Sequence, residues 1–208
     1  MRRIGDTAIA AVTVVALGSG VWLLGTGSAT HAPPQPSAAE GRPEPAEERL
    51  GSPALAPSPP TRIRIPAIRV NAPLMGLGLT SSGSLDVPPA GNKNLAGWYE
   101  AGITPGERGT AIVAGHVDNT EGPAVFYDLG GLRRGAVIEV DRQDGSVAVF
   151  TVDAVEVYSA HDFPDKKVYG PAKRPELRVI TCGGGYSKLT GYQGNVVVFA
   201  HLTGSRQA

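Results

Sequence analysis

One thiol and four imidazoles are the side chains of this sequence best suited to covalent chemistry. Cys182 closes the apolar run 177–181 and is followed at once by Gly183, Gly184 and Gly185. Only the thiolate is strongly nucleophilic, and a free cysteine ionises near a pKa of about 8.5, so a working cysteine needs a base or cation beside it. His31 lies in a proline-rich stretch and His161 in a polar loop, while His201 follows the last apolar run near the C-terminus. His116 follows the apolar run 110–114 and one glycine, Gly115. It therefore ends a strand beside a glycine, as Cys182 does, and is the expected acid/base partner, with His201 as the fallback. The bland alternative is an inert cysteine serving as a small buried hydrophobe. A single cysteine excludes an internal disulfide and any multi-thiolate metal site.

An acyl-transfer transition state also needs donors for its oxyanion. Gly183, Gly184 and Gly185 offer backbone amides at a strand end, where glycine permits close approach of another chain. Lys188 is the sole lysine or arginine between Cys182 and Arg206.

The elements that must carry these groups read as short strands. Residues 62–65 alternate, 68–70 resume after Pro66, and 110–114 form an apolar run. Residues 136–140 and 147–152 flank a turn at 141–145, which predicts a hairpin, and 155–158 continue its second arm. Residues 177–181 and 195–200 are two further apolar runs. Seven or eight strands at this spacing predict an all-β antiparallel barrel or sandwich. The expected core includes Ile112, Val137, Ile138, Val149, Val179, Val197 and Phe199, and 92–99 and 125–129 are expected to form short helical turns. With 28 glycines, 18 prolines and 6% aromatics in 208 residues, the composition favours turns over long helices.

Ahead of this domain, Arg2 and Arg3 flank the uncharged stretch 7–25. Its length suits a bilayer span with residues 1–6 in the cytoplasm, and is longer than the apolar core of a cleaved signal peptide. Residues 26–60 are proline-rich and read as an extracellular spacer, 61–204 as the folded domain, and 205–208 as a tail. The catalytic domain of such a single-pass membrane protein is expected outside the cell. Lysine plus arginine equals aspartate plus glutamate, so no nucleic-acid partner is expected. Glu100, Glu107, Asp118 and Glu121 show no calcium-ligand spacing, so no metal and no cofactor is expected. A monomer is the expected state.

Taken in order, these segments resemble the sortases, cysteine transpeptidases of Gram-positive cell surfaces. The likeness runs from about residue 62 to 202. Residues 64–73 look like the family's first strands, 114–116 like its histidine motif, 122–140 like the loop and strand that follow, 180–182 like its TLxTC motif, and 195–200 like its closing strand. In detail the chain is most similar to class F of high-GC Gram-positive bacteria. The resemblance implies an eight-stranded β-barrel with the active site at one end. It implies a C-terminal LPxTG-type sorting signal as substrate, cut between Thr and Gly through a thioacyl enzyme. Lipid II or another cell-wall amine would be the acceptor. Cys182 would be the nucleophile, His116 the acid and base, and Thr181, Gly183, Gly184 and Asn195 would bind substrate. The chain departs from the family in one respect: the arginine expected on or near the last strand is missing. Lys188 is the expected replacement and Asn195 stands near the arginine's place. Lysine keeps the charge and loses the planar fork, so weakened activity is expected.

Other classes fit less well. An L,D-transpeptidase carries its cysteine in an SxGC-type stretch, and a papain-like enzyme carries an early cysteine that starts a helix. A degenerate sortase or a tethered β-barrel binding module without catalysis remains the alternative, marked by an inert Cys182.

Overall fold

The computed structural model describes residues 32–41, 52–189 and 191–208. The chain divides into Met1–Ala32 and Pro33–Ala208. All of the first unit but Ala32 lies outside the described residues, including the expected span 7–25. Among the described residues no helix is long and apolar enough to cross a membrane.

Period-two burial builds the strands of the second unit. In β1 (Pro60–Ile65), Ile63 and Ile65 are buried, while Arg64 turns outward to Glu139 and Asp141. β2 (Val70–Leu77) returns antiparallel to β1 after a short 3-10 turn, Pro66–Ile68. Next come β3 (Ala96–Tyr99), β4 (Gly109–Gly115), and the two-residue strands β5 (Asp118–Asn119) and β6 (Gly122–Pro123). β7 (Val137–Arg142) and β8 (Ser146–Ser159) form the expected hairpin. A 3-10 turn and the one-turn helix α1 (Asp165–Tyr169) lead into β9 (Pro175–Ser187) and β10 (Gly191–Gln207).

The long strands close into an eight-stranded barrel in the order β1-β2-β3-β4-β9-β10-β8-β7. The barrel is mixed rather than antiparallel throughout, because β2 pairs parallel with β3 and β4 parallel with β9. A parallel pair needs a long crossover, and local sequence does not announce it. Residues 92–99, expected as a helical turn, hold strand β3 instead, with Trp98 buried and its indole N–H donating to the Ile103 carbonyl. Residues 125–129 do form turns that run into a 3-10 segment, Leu129–Gly131.

Ile138 and Val179 join the barrel core with Phe126, Phe150, Leu177 and Leu202. Val137, expected inside, is 40% exposed, and Val149 is half-buried. In both places the neighbours of opposite parity, Ile138, Ala148 and Phe150, face inward. Ile112, Val197 and Phe199 are buried on the opposite face of the sheet, in a second apolar cluster with Ile180 and Val168. Phe150 has no exposed surface. Phe150→Ala should lower unfolding stability by about 3–5 kcal/mol, read as a fall in chemical-denaturation midpoint.

Two pieces of the proline-rich stretch rest on the barrel. Glu40 accepts from the Arg134 backbone N–H at 2.8 Å and from Arg133 at 3.1 Å, and its carbonyl accepts from Val155 N–H. Those donors hold the Glu40 carboxyl below the usual carboxylate range. Further along, Leu55 N–H donates to the Gly106 carbonyl.

Candidate active site

Barrel closure sets β9 between β4 and β10. β4 and β9 run parallel, and their last paired positions are Ala114 and Ile180. His116 and Cys182 each lie two residues beyond that pair, so the two expected chemical groups leave the same rim from neighbouring strands. Side-chain alternation turns them to one face. Val113 and Val179 point into the barrel core, whereas Ile112 and Ile180 belong to the cluster outside it. Cys182 shares the parity of Ile180 and is exposed.

Three contacts fix the two strand ends. Thr181 is buried, and its hydroxyl donates to the Gly115 carbonyl at 2.8 Å, tying the residue before the cysteine to the residue before the histidine. Gly115 is required by close approach: a Cβ there would stand 2.7 Å from the Phe126 ring and 2.8 Å from Val125. Past the histidine, Phe126 N–H donates to the His116 carbonyl and Ala124 N–H to the Val117 carbonyl, both at 3.0 Å. Thr181→Val keeps the shape and removes the tie. It should cost about 1 kcal/mol of stability and, by loosening the alignment, on the order of 10–10² in turnover; a melt and a rate on the same sample check both.

The imidazole is oriented from its far side. His116 Nε2 lies 2.6 Å from the Pro88 carbonyl oxygen. A carbonyl can only accept, so Nε2 carries the proton here, and in the neutral ring Nδ1 is the basic nitrogen. Although the residue keeps a face to solvent, the protein packed round its sulfur, and after it the Asp118 carboxylate, push the Cys182 thiol up from its ordinary range. Asp118 in turn accepts from the Tyr192 hydroxyl at 2.5 Å.

The remaining expected residues gather on the β9–β10 hairpin. Asn195 is the cross-strand partner of Cys182, and Gly183 that of Gly194. Gly184 and Gly185 have φ of 76° and 93°, where glycine is strain-free. The Gly184 amide, expected to face substrate, donates to the Gln35 side-chain carbonyl at 3.3 Å, so the proline-rich segment reaches the rim beside the nucleophile. Lys188 is exposed on the hairpin turn, six positions beyond Cys182. Thr181, expected among the substrate-binding residues, has its hydroxyl committed to Gly115. His201, the fallback partner, is buried in the middle of β10, with Nδ1 2.7 Å from Asp153, six positions along the strand from Asn195. Among the described residues, no group of three or more His, Cys, Asp or Glu side chains could hold a metal ion. Asp118 and Tyr192 were not expected at the site. The only sequence signal for them is an acid two residues after His116 and an aromatic just past a glycine in the last hairpin.

Comparisons with known proteins agree with this geometry. The family model of the sortase domain matches residues 63–203. Sortase A of Listeria monocytogenes superposes with a TM-score of 0.53 at 18% identity, over 71% of this chain and 89% of that one. A Clostridium perfringens sortase D5 transpeptidase gives 0.52 at 22% identity, over 70% and 79% of the two chains. The SrtA sortase of Actinomyces oris gives 0.54 at 18% identity, over 76% and 88%. Comparison with curated protein sequences returns no match.

Proposed function

This chain belongs to the sortase family and is a cysteine transpeptidase, and from that premise we propose that it cuts an LPxTG-type sorting signal between Thr and Gly and joins the freed Thr carbonyl to a cell-wall amine. Cys182 gives its thiol proton to His116, its sulfur attacks the Thr carbonyl carbon, and the oxyanion collapses to a thioester as the C–N bond breaks. His116 delivers a proton to the departing glycine amine. The incoming amine then attacks the thioester and yields its proton to His116, and the new amide leaves as the thiol is restored. Lipid II is the proposed acceptor. Amides of the Gly183–Gly185 stretch, that of Gly184 once released from Gln35, are with Asn195 and Lys188 the proposed donors around substrate and oxyanion.

The observation that carries this reading is the tied pair of strand ends, with Thr181 bonded to Gly115 and His116 and Cys182 each one residue further on. In motif detail the chain fits class F, and we assign residues 7–25 as a membrane anchor that holds the enzyme at the outer surface of the cell. The test is a quenched fluorescent LPxTG peptide incubated with the full chain in detergent, with and without a glycine amine. Cleavage, plus a transfer product only when amine is present, is the expected result. A folded protein that cuts no related signal would leave the reading without its substrate.

A further inference from the structure

The proposed reaction uses Cys182 and His116 and leaves one part of the site without a task. Tyr192 Oη donates to Asp118 Oδ2, a bond between residues 74 positions apart. β9 stands between β4 and β10 in the barrel. Asp118 belongs to the segment that extends β4 past His116, and Tyr192 to β10, so this side-chain bridge crosses the part of β9 that runs on beyond its pairing with β4, the part that carries Cys182. The bridge is braced on its β10 side by Tyr186, the cross-strand partner of Tyr192, whose ring packs edge-on with centroids 5.1 Å apart.

We propose that Tyr192 is a positioning residue: its hydroxyl holds the Asp118 carboxylate at the side of the nucleophile, and the fixed negative charge keeps Cys182 a thiol until substrate enters. This rests on the reading of Cys182 as the nucleophile. Asp118 on β5 acts on the sulfur directly, Tyr192 on β10 stands within reach of both, with Tyr127 acting on Tyr192, and His116 lies two residues past the end of the β4–β9 pairing, as Cys182 does. Burial first, and then the bond to Asp118, push the Tyr192 hydroxyl far above its ordinary range, which favours its protonated, donating form. No lysine or arginine pairs with Asp118 among the described residues, which leaves Tyr192 as the group that fixes it. A protonated thiol is the form least open to oxidation, and Cys182 is exposed.

The test is the pH dependence of Cys182 alkylation by iodoacetamide, measured on the full chain in detergent for wild type, Asp118→Asn, Tyr192→Phe and the double variant. Asp118→Asn keeps an acceptor for the tyrosine and removes the charge, and should move the alkylation midpoint down by about one pH unit. Tyr192→Phe should move it in the same direction, because the freed carboxylate turns to water, and the double variant should match Asp118→Asn alone. At neutral pH both single variants should also be alkylated several-fold faster than wild type. A Tyr192→Phe midpoint that stays put or rises, or shifts that add in the double variant, would overturn the proposal. Should Tyr192→Phe misfold, as its circular dichroism would reveal, an Asp118→Asn midpoint equal to wild type overturns it alone, and a lowered one supports it. Alkylation needs no peptide, so a wrong sorting signal would fail the cleavage assay and leave this result standing.

Discussion

Cys182→Ala is expected to reduce both cleavage and transfer to the uncatalysed background while the barrel stays folded. The substitution removes the atom that would carry the acyl group, and Thr181, the adjacent hydroxyl, is buried and committed to Gly115. Donors left around an empty site stabilise nothing unless an attacking atom is present. Losses of about 10⁴ or more accompany removal of a nucleophile from a unit of this kind. The side chain is exposed, so its truncation opens no cavity in the core. An unchanged melt with abolished turnover is the expected pairing, read by thermal denaturation and peptide cleavage on one preparation. Residual turnover within tenfold of wild type would mean that chemistry proceeds elsewhere.

His116→Ala is expected to lower turnover by about 10²–10⁴, the usual worth of a placed acid/base group. The variant loses both proton transfers, to the leaving amine and from the incoming one. It also frees the Pro88 carbonyl, which accepts from Nε2. The sign of the pH effect follows from the thiol. Burial and Asp118 raise the Cys182 pKa, so its protonated form persists to higher pH than in a free cysteine, and alkylation of the resting enzyme should rise only on the alkaline side of the ordinary thiol range. At neutral pH the working thiolate must therefore be generated through the histidine. In His116→Ala, peptide cleavage at neutral pH should fall far more than it does at alkaline pH, where hydroxide ionises the sulfur without help. A pH–rate profile checks this, and an equal loss at every pH would assign His116 a structural part.

Cys182 and His116 are legible because each ends an apolar run beside glycine, although β9 itself runs on past Cys182 to Ser187 as an arm of the last hairpin. Their partnership is expected on that same ground, but the strand pairing that delivers it is not legible: β4 and β9 are parallel neighbours far apart in sequence, and no local pattern encodes that pairing. The hairpin β7–β8 was plain from its turn, yet Val137 and Val149 were placed inside although Ile138, Ala148 and Phe150 hold those inward places. In a run such as 136–140 nearly every residue is apolar, and parity is then set by packing. β3 was read as a turn because four residues carry too little alternation, and its Trp98 is anchored by a loop carbonyl. Ile112, Val197 and Phe199 are buried as expected, but they cover the outer face beside α1, a helix too short to leave a periodic signal. The Asp118–Tyr192 bridge escaped for the same reason as the β4–β9 pairing: it is made by barrel closure.

The central claim is covalent, so its most direct measurement is the mass of the enzyme itself during turnover. The full chain in detergent, mixed with an LPxTG peptide and quenched in acid within seconds, should carry the acyl fragment ending in Thr as a thioester. Digestion should locate it on the peptide containing Cys182, and a glycine amine added before the quench should discharge it. Turnover with no adduct on Cys182, or with the acyl group on another residue, would contradict the account.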